Sequence, residues 1–254
     1  MKPKYLLIII VLLIVALVIG AVAIYLWEPV KTKLPFLGDQ AYNLTFVTED
    51  ELNIAATYYP STGTISDQGV VLVHSLESDR SEWVDLAQDL QNSGFEVITL
   101  DLRGHGLSDG KLKKFQKGDF NKMEYDVREA FEYLEDINSE IKISVIGSSL
   151  GANVGLKTAA QDNRVQSLVL LSPAIEYKEV KVDKKIQQYI NPLLIVSSKN
   201  DKESFQDSGQ LFENSKSEQK EFWELEKAGH GSKMLEREEG LQERIIEWLT
   251  IPVL

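Results

Sequence analysis

The fold of this chain is decided by residues 141–160, which read I-K-I-S-V-I-G-S-S-L-G-A-N-V-G-L-K-T-A-A. The β-branched run at residues 141–146 predicts a short buried strand, and the Ala- and Leu-containing stretch after Gly151 predicts a helix. The turn between the strand and the helix has to be very tight. We therefore expect Gly147 and Gly151 at positions where a Cβ atom would collide with neighbouring backbone.

Ser149 stands at the centre of this turn, in a G-x-S-x-G pattern. A strand, this pattern and a helix form the context of a nucleophile elbow, in which the serine hydroxyl projects above the sheet. The Leu150 N–H would then lie at a helix N-terminus, where it can stabilise an oxyanion. The pattern alone is weak, because average Gly and Ser usage produces it by chance in about one chain in ten of this length. An ordinary Gly/Ser turn is the alternative reading.

Composition limits the possible classes of function. The 254 residues are 43% hydrophobic, which suffices for one sizeable core. The formal net charge of −12 argues against a nucleic-acid partner. The absence of cysteine excludes disulfides, thiolate metal sites and a cysteine nucleophile, and three scattered histidines do not suggest a zinc site. We expect no cofactor and no metal, and composition leaves the oligomeric state open.

The N-terminal segment is predicted to be a membrane anchor. Residues 5–27 carry no charge and exceed the roughly 20 residues that span a bilayer as a helix. A cleaved signal peptide is the alternative, since residues 21–23 read A-V-A, but the apolar run is longer than the usual signal-peptide core of about 7–15 residues. We therefore expect an anchor at residues 1–27, a linker at residues 28–40 and a globular domain at residues 41–254.

The distribution of lysines gives a weak prediction of topology. Lys2 and Lys4 precede the apolar segment, and Lys31 and Lys33 follow it. Together with the α-amino group, this distribution slightly favours a cytoplasmic N-terminus. The globular domain would then lie outside the cytoplasm.

The sequence of the globular part predicts strands that alternate with helices. Strands are expected at residues 42–47, 54–59, 69–74, 95–100, 141–146, 165–171, 193–197 and 221–225, and helices at residues 81–91, 119–137 and 237–249. The first two strands read as an antiparallel hairpin. The rest of the pattern predicts an α/β fold with a mostly parallel sheet covered by helices on both faces. Functional residues are then expected beyond the carboxyl ends of the strands.

Two loops at predicted strand ends supply partners for Ser149. A serine hydroxyl needs a base to take its proton, and that base needs a carboxylate to hold it. His230 lies in K-A-G-H-G after the last predicted strand, and Asp201 lies in S-K-N-D after the strand at residues 193–197. Taken singly, His230 could be an ordinary loop histidine and Asp201 a helix cap. Their placement after the right strands favours a catalytic triad of Ser149, Asp201 and His230.

The loop after the first central strand is expected to supply a second oxyanion donor. Residues 73–78 read V-H-S-L-E-S, and the Leu76 N–H is the candidate donor beside that of Leu150. Proteins with an oxyanion loop of this kind commonly have glycine after the histidine, whereas here Ser75 follows His74.

Four segments of the chain resemble the α/β-hydrolase superfamily, and in particular its monoacylglycerol-lipase-like and serine-aminopeptidase-like groups. They are V-L-V-H-S-L-E-S with S-E-W, then D-L-R-G-H-G-L-S-D-G, I-G-S-S-L-G-A, and K-N-D with A-G-H-G, within residues 44–249. The chain order Ser149, Asp201, His230 is the order in that superfamily. The resemblance implies that His105, in the second segment, is structural and that His74 orients the oxyanion loop.

The resemblance also selects the chemistry. Ser149 stands where dehalogenases and epoxide hydrolases of the superfamily have aspartate and where dienelactone hydrolases have cysteine, so those activities are not expected. Many relatives carry a helical cap before the acid residue, whereas residues 173–191 are short and charged. We expect a minimal or absent cap and an open pocket that suits small or accessible esters.

These observations predict a serine esterase that acts on a small-molecule ester through an acyl-enzyme. A peptidase or amidase with the same triad is an alternative. A catalytically inactive hydrolase-fold binding module is another, and the complete triad argues against it.

Overall fold

The computed structural model describes residues 32–33, 41–62 and 66–250. The apolar segment predicted as a membrane anchor, residues 5–27, lies outside this part of the chain and stays a prediction. No helix within the described residues has the length and apolar character needed to cross a bilayer.

The described residues form eleven strands, six α-helices and three short 3₁₀ helices. The strands are β1 (Thr32–Lys33), β2 (Tyr42–Val47), β3 (Asn53–Tyr59), β4 (Gln68–Val73), β5 (Glu96–Leu100), β6 (Lys142–Ser148), β7 (Val165–Leu171), β8 (Glu176–Tyr177), β9 (Val180–Lys181), β10 (Leu193–Ser198) and β11 (Lys220–Leu225). The α-helices are α1 (Val84–Asn92), α2 (Met123–Ile137), α3 (Leu150–Ala159), α4 (Lys202–Asn214), α5 (Lys233–Arg237) and α6 (Leu241–Leu249). The 3₁₀ helices are Arg80–Trp83, Leu112–Lys114 and Asp119–Lys122.

Nine of these strands form one mixed sheet in the order β1-β2-β3-β5-β4-β6-β7-β10-β11. The pairs at the β1 side are antiparallel, and β2 and β3 form the hairpin expected from the sequence. From β5 to β11 every neighbouring pair is parallel, so the prediction of a mostly parallel sheet is confirmed. The carboxyl ends of β4, β6, β7, β10 and β11 therefore meet at one edge of the sheet.

Both faces of the sheet are buried under helices. Along β4, Val71 and Val73 belong to the core beneath α2 and α3, whereas Val70 and Leu72 belong to the core beneath α1 and α6. All four side chains are fully buried. A strand buried on both faces needs an unbroken apolar run, which explains the sequence G-V-V-L-V.

Several segments differ from the sequence-based expectation. Helices α4 and α5 were not predicted at all. The helix predicted at residues 237–249 is interrupted, because Gly240 has a left-handed φ of 74° and α6 starts only after it. Apolar periodicity detects the face of a helix and misses such a break. Thr32–Lys33 forms a strand on β2 inside the segment predicted as a linker, so the sheet begins earlier than expected.

The cap between β7 and β10 is reduced to a two-stranded hairpin. Strands β8 and β9 pair through a turn at Lys178 and Glu179, both of which have positive φ angles. The chain then returns to the core, where Val182, Ile186 and Tyr189 are buried. The expectation of a minimal cap is confirmed.

The turn at Ser149 is as tight as its two glycines predict. Ser149 has φ 52° and ψ −114°, a conformation that L-residues rarely adopt. A Cβ atom on Gly147 would collide with the backbone of Gly151, and one on Gly151 would collide with the carbonyl oxygens of Val73 and His74. Helix α3 therefore approaches the end of β4 closely because both glycines lack a side chain.

Replacing Gly151 tests this close approach. Gly151→Ala should lower the free energy of unfolding by about 1–3 kcal/mol or more, because backbone atoms have to move to admit the methyl group. Gly209→Ala in α4 is the matched control, since its nearest neighbour would lie 3.9 Å from the new Cβ. The control should be stabilised by about 0.5–1 kcal/mol through helix propensity. Denaturant unfolding of both variants measures the difference, and equal effects would contradict this packing.

Candidate active site

Three side chains from distant parts of the sequence meet at the carboxyl edge of the sheet. Ser149 follows β6, Asp201 follows β10 and His230 follows β11. Ser149 Oγ lies 2.8 Å from His230 Nε2, and His230 Nδ1 lies 2.5 Å from Asp201 Oδ2. With the Nδ1 proton donated to the carboxylate, Nε2 is free to accept the proton of the serine hydroxyl. The sequence-predicted triad residues are therefore in hydrogen-bonding contact.

Two of these three residues border an open cleft of about 1020 Å³. Ser149 and His230 line it together with Leu76, and Tyr177 and Lys178 of the small hairpin line it as well. The His230 side chain is 49% exposed and that of Asp201 is 21% exposed. Water and a small substrate can reach the serine directly.

The two candidate oxyanion donors come from different segments of the chain, and only Leu76 lines the cleft. Leu150 is the first residue of α3, directly after Ser149, and Leu76 lines the cleft itself. Within the described residues, neither N–H donates a hydrogen bond to a protein acceptor. The next residue along this loop, Glu77, has a positive φ of 62°, so the loop is held in a strained conformation. The role of these two N–H groups as oxyanion donors stays a prediction.

Comparisons with known proteins agree with this architecture. The family model described as serine aminopeptidase, S33, matches residues 65–190. An esterase of Pyrococcus furiosus superposes with a TM-score of 0.72 at 22% identity, over 86% of this chain and 95% of that one. An α/β hydrolase of Penicillium sp. sh18 superposes with a TM-score of 0.71 at 17% identity, over 82% of this chain and 97% of that one. The chain therefore has the α/β-hydrolase fold.

A relative with a different printed activity matches part of this chain. A probable alcohol acetyltransferase of Cyberlindnera jadinii is 27% identical over 171 residues, which make up 63% of this chain and 44% of that relative. The chain therefore spans less than half the length of this relative. Taken together, the comparisons support hydrolase-type catalysis and leave the substrate open.

His74 fixes the start of the oxyanion loop. Its Nε2 accepts the Leu102 N–H at 3.0 Å, so the ring proton must be on Nδ1, which donates to the Ser75 carbonyl at 2.7 Å. Burial lowers the pKa of His74 below its ordinary value of 6.5, which keeps the ring neutral. This arrangement is what the resemblance to the superfamily implies for His74.

His105 takes no part in the cleft. It is buried, its ring packs edge-on against that of His74 at 4.8 Å between centroids, and its Nδ1 donates to the Arg103 carbonyl at 3.1 Å. Burial lowers the pKa of His105 as well. This position agrees with the structural role expected for His105, but its buried Nε2 has no hydrogen-bond partner within the described residues.

Sequence reasoning missed the polar side chains that hold the loop of His230. Four backbone N–H groups of this loop donate to oxygens of residues at or just beyond the ends of other strands. The pairs are Ala228 to Ser198 Oγ at 2.9 Å, Gly229 to Asn200 Oδ1 at 3.1 Å, Gly231 to Ser172 Oγ at 2.9 Å and Ser232 to Ser148 Oγ at 2.8 Å. Small hydroxyl residues at strand ends were the available signal, but serine is common in loops and the pairings span up to 84 residues.

No group of three or more His, Asp or Glu side chains within the described residues is arranged to hold a metal ion.

Proposed function

We propose that this α/β-hydrolase is a serine esterase that cleaves small or accessible carboxylic esters. The observation that carries the proposal is the continuous line of hydrogen bonds from Ser149 through His230 to Asp201, beside an open cleft that Ser149 and His230 line. Such a line is the arrangement that activates a serine hydroxyl.

In the proposed mechanism Ser149 Oγ attacks the ester carbonyl carbon while His230 Nε2 takes the hydroxyl proton. Asp201 keeps the imidazole in its productive tautomer and stabilises the positive charge that forms on it. The N–H groups of Leu76 and Leu150 bind the oxyanion. The ester C–O bond then breaks, and His230 returns the proton to the departing alcohol. Water next attacks the carbonyl carbon of the acyl-enzyme while His230 takes a proton from it. The bond to Ser149 Oγ breaks, His230 gives the proton to Oγ, and the carboxylic acid leaves.

Two further reactions use the same acyl-enzyme. A peptidase or amidase would form it from an amide, and the match to a serine aminopeptidase family model favours testing that reaction. An acyltransferase would pass the acyl group to an alcohol instead of water, and the match to a probable alcohol acetyltransferase supports testing it as well. The exposure of His230 favours water as the acceptor, because nothing in the cleft excludes it.

Removing either Ser149 or His230 should reduce ester hydrolysis by about a thousandfold or more, because the members of a triad act as a unit. The measurement is hydrolysis of p-nitrophenyl esters of graded chain length beside aminoacyl anilides, with and without an added alcohol. A fluorophosphonate should label wild-type protein and leave Ser149→Ala unlabelled. Full activity in Ser149→Ala or His230→Ala would contradict the proposal, and a wild type that neither hydrolyses nor labels would be a binding module.

A matched pair of variants tests which carboxylate holds His230. Asp201→Asn should keep the fold and lower kcat by about 10²- to 10⁴-fold, because the amide favours the wrong imidazole tautomer. Glu203→Gln, two residues further on in α4, should retain the wild-type rate. The reverse result would mean that Glu203 is the acid.

The charge of the cleft supports a preference among esters. Seven carboxylates and two lysines line the cleft, and none of the carboxylates forms a salt bridge with another described residue. The carboxylates are those of Glu77, Glu82, Asp85, Glu236, Glu238, Glu239 and Glu243. A cleft with this excess of negative charge attracts cations and repels anions before they bind.

Esters with a cationic alcohol should therefore react faster than anionic ones of the same shape. We expect kcat/KM for an acetate ester of a trimethylammonium alcohol to exceed that of a carboxylate-bearing analogue by about tenfold or more at low salt, with the ratio falling as salt rises. A neutral tert-butyl analogue should lie between them. The ratio of the two kcat/KM values should fall toward one in a triple variant with Glu238→Gln, Glu239→Gln and Glu243→Gln. It should stay unchanged in Glu140→Gln, which lies outside the cleft. A ratio near one at low salt would contradict this preference.

The proposed enzyme is held at a membrane by its N-terminal segment. A helix of residues 5–27 would be about 34 Å long, which exceeds the roughly 30 Å hydrocarbon core of a bilayer. Full-length protein should stay in the membrane fraction after a carbonate wash, as a single-pass protein. Protease added to intact cells should reach the catalytic domain. Recovery of a shortened, soluble protein that starts near residue 24 would instead identify a cleaved signal peptide.

A further inference from the structure

A chain of hydrogen bonds runs beside the triad and uses none of its side chains. Ser75 Oγ lies 3.0 Å from Glu82 Oε1 and 2.7 Å from Ser148 Oγ. The Ser75 N–H also donates to Glu82 Oε2 at 3.1 Å. At the other end, Ser148 Oγ accepts the Ser232 N–H at 2.8 Å.

The direction of every hydrogen bond in this chain is fixed by its two ends. The Ser232 N–H can only donate, and an ionised Glu82 carboxylate can only accept. Ser75 must therefore donate its hydroxyl proton to Glu82, and Ser148 must donate its own to Ser75. Each hydroxyl makes one donated and one accepted hydrogen bond, so each link depends on the next.

The chain connects the three loops that the proposed mechanism uses. Ser75 precedes the oxyanion candidate Leu76, Ser148 precedes the nucleophile Ser149, and Ser232 follows the base His230 by two residues. The fit around it is close. Gly231 has a left-handed φ of 62°, and a Cβ atom there would lie 2.5 Å from Ser148 Oγ and 3.5 Å from Ser75 Oγ.

We propose that Ser75, Ser148 and Glu82 are positioning residues, which hold the oxyanion loop, the nucleophile elbow and the histidine loop in one reactive geometry. This inference rests on the proposed serine-hydrolase function. It explains why Ser75 stands at a position where glycine is common, since glycine would interrupt the chain between Glu82 and Ser148. None of the three side chains contacts the reacting atoms in this proposal.

The first test is the split between kcat and KM in the full-length protein. Ser75→Ala and Ser148→Ala should each lower kcat by about ten- to a hundredfold with KM changed less than about twofold, because small misplacements of reacting groups slow the chemical step. Fluorophosphonate labelling should slow in parallel. Glu82→Gln, which keeps the volume, should act in the same direction, because an amide presents only one acceptor to the two donors of Ser75. Ser75→Thr keeps the hydroxyl and should restore most of kcat.

The second test distinguishes a connected chain from separate contributions. The Ser75→Ala/Ser148→Ala double variant should lose about as much kcat as the worse single variant, whereas independent effects would multiply. Ser217→Ala is the control, because its buried hydroxyl has no hydrogen-bond partner within the described residues. Thermal unfolding of every variant shows whether a loss of kcat comes from loss of the folded state. Multiplicative losses in folded variants, or wild-type kcat in Ser75→Ala, would overturn the proposal.

A third measurement does not depend on activity. Hydrogen exchange of peptides that cover residues 228–236 should become about tenfold faster in Ser75→Ala, although Ser75 does not touch the Ser232 N–H, and should stay unchanged in Ser217→Ala. If wild-type protein neither hydrolyses esters nor reacts with the fluorophosphonate, the proposed function is wrong, and this exchange rate still decides whether the chain couples the loops. Unchanged exchange in Ser75→Ala would overturn the coupling.

Discussion

The close contact between α3 and the end of β4 is the constraint on which the rest of the site depends. Gly151 allows the helix to approach the carbonyl oxygens of Val73 and His74, and Ser149 in the tight turn before it has a positive φ of 52°. The strained turn directs the serine toward His230 and leaves the first N–H of the helix unpaired. One steric fact, the lack of two Cβ atoms, thus sets the position of the nucleophile and of one oxyanion donor.

The parallel sheet provides the second level of organisation. Because β6, β7, β10 and β11 are adjacent and point the same way, loops far apart in sequence meet at one edge. Short polar side chains at the ends of these strands then bind the backbone of the histidine loop. The packing of the core sets the positions of the strand ends. The hydroxyl groups at those ends then hold the loop that carries His230 by hydrogen bonds to its backbone.

The residues that meet at the site could be predicted from the sequence because each leaves a local signal. Ser149 has its glycines, while Asp201 and His230 follow apolar strands in an order that matches the superfamily. The contacts of Ser75 with Ser148 and of Ser148 with Ser232 could not be predicted, since they join residues 73 and 84 positions apart and a serine in a loop is unremarkable. The break at Gly240 was missed for a similar reason, because apolar spacing on both sides of it is compatible with one continuous helix.

The small hairpin between β7 and β10 has a consequence for the timing of the reaction. Its turn is fixed by Glu179, which accepts the Gly118 N–H at 2.7 Å, and the chain that follows is anchored by buried Ile186 and Tyr189. Residues 176–179 and Lys181 of this hairpin are exposed, which leaves only a short element to cover a bound molecule. In the proposed enzyme we therefore expect a substrate to enter and a product to leave without a slow opening step of this hairpin on the microsecond to millisecond scale.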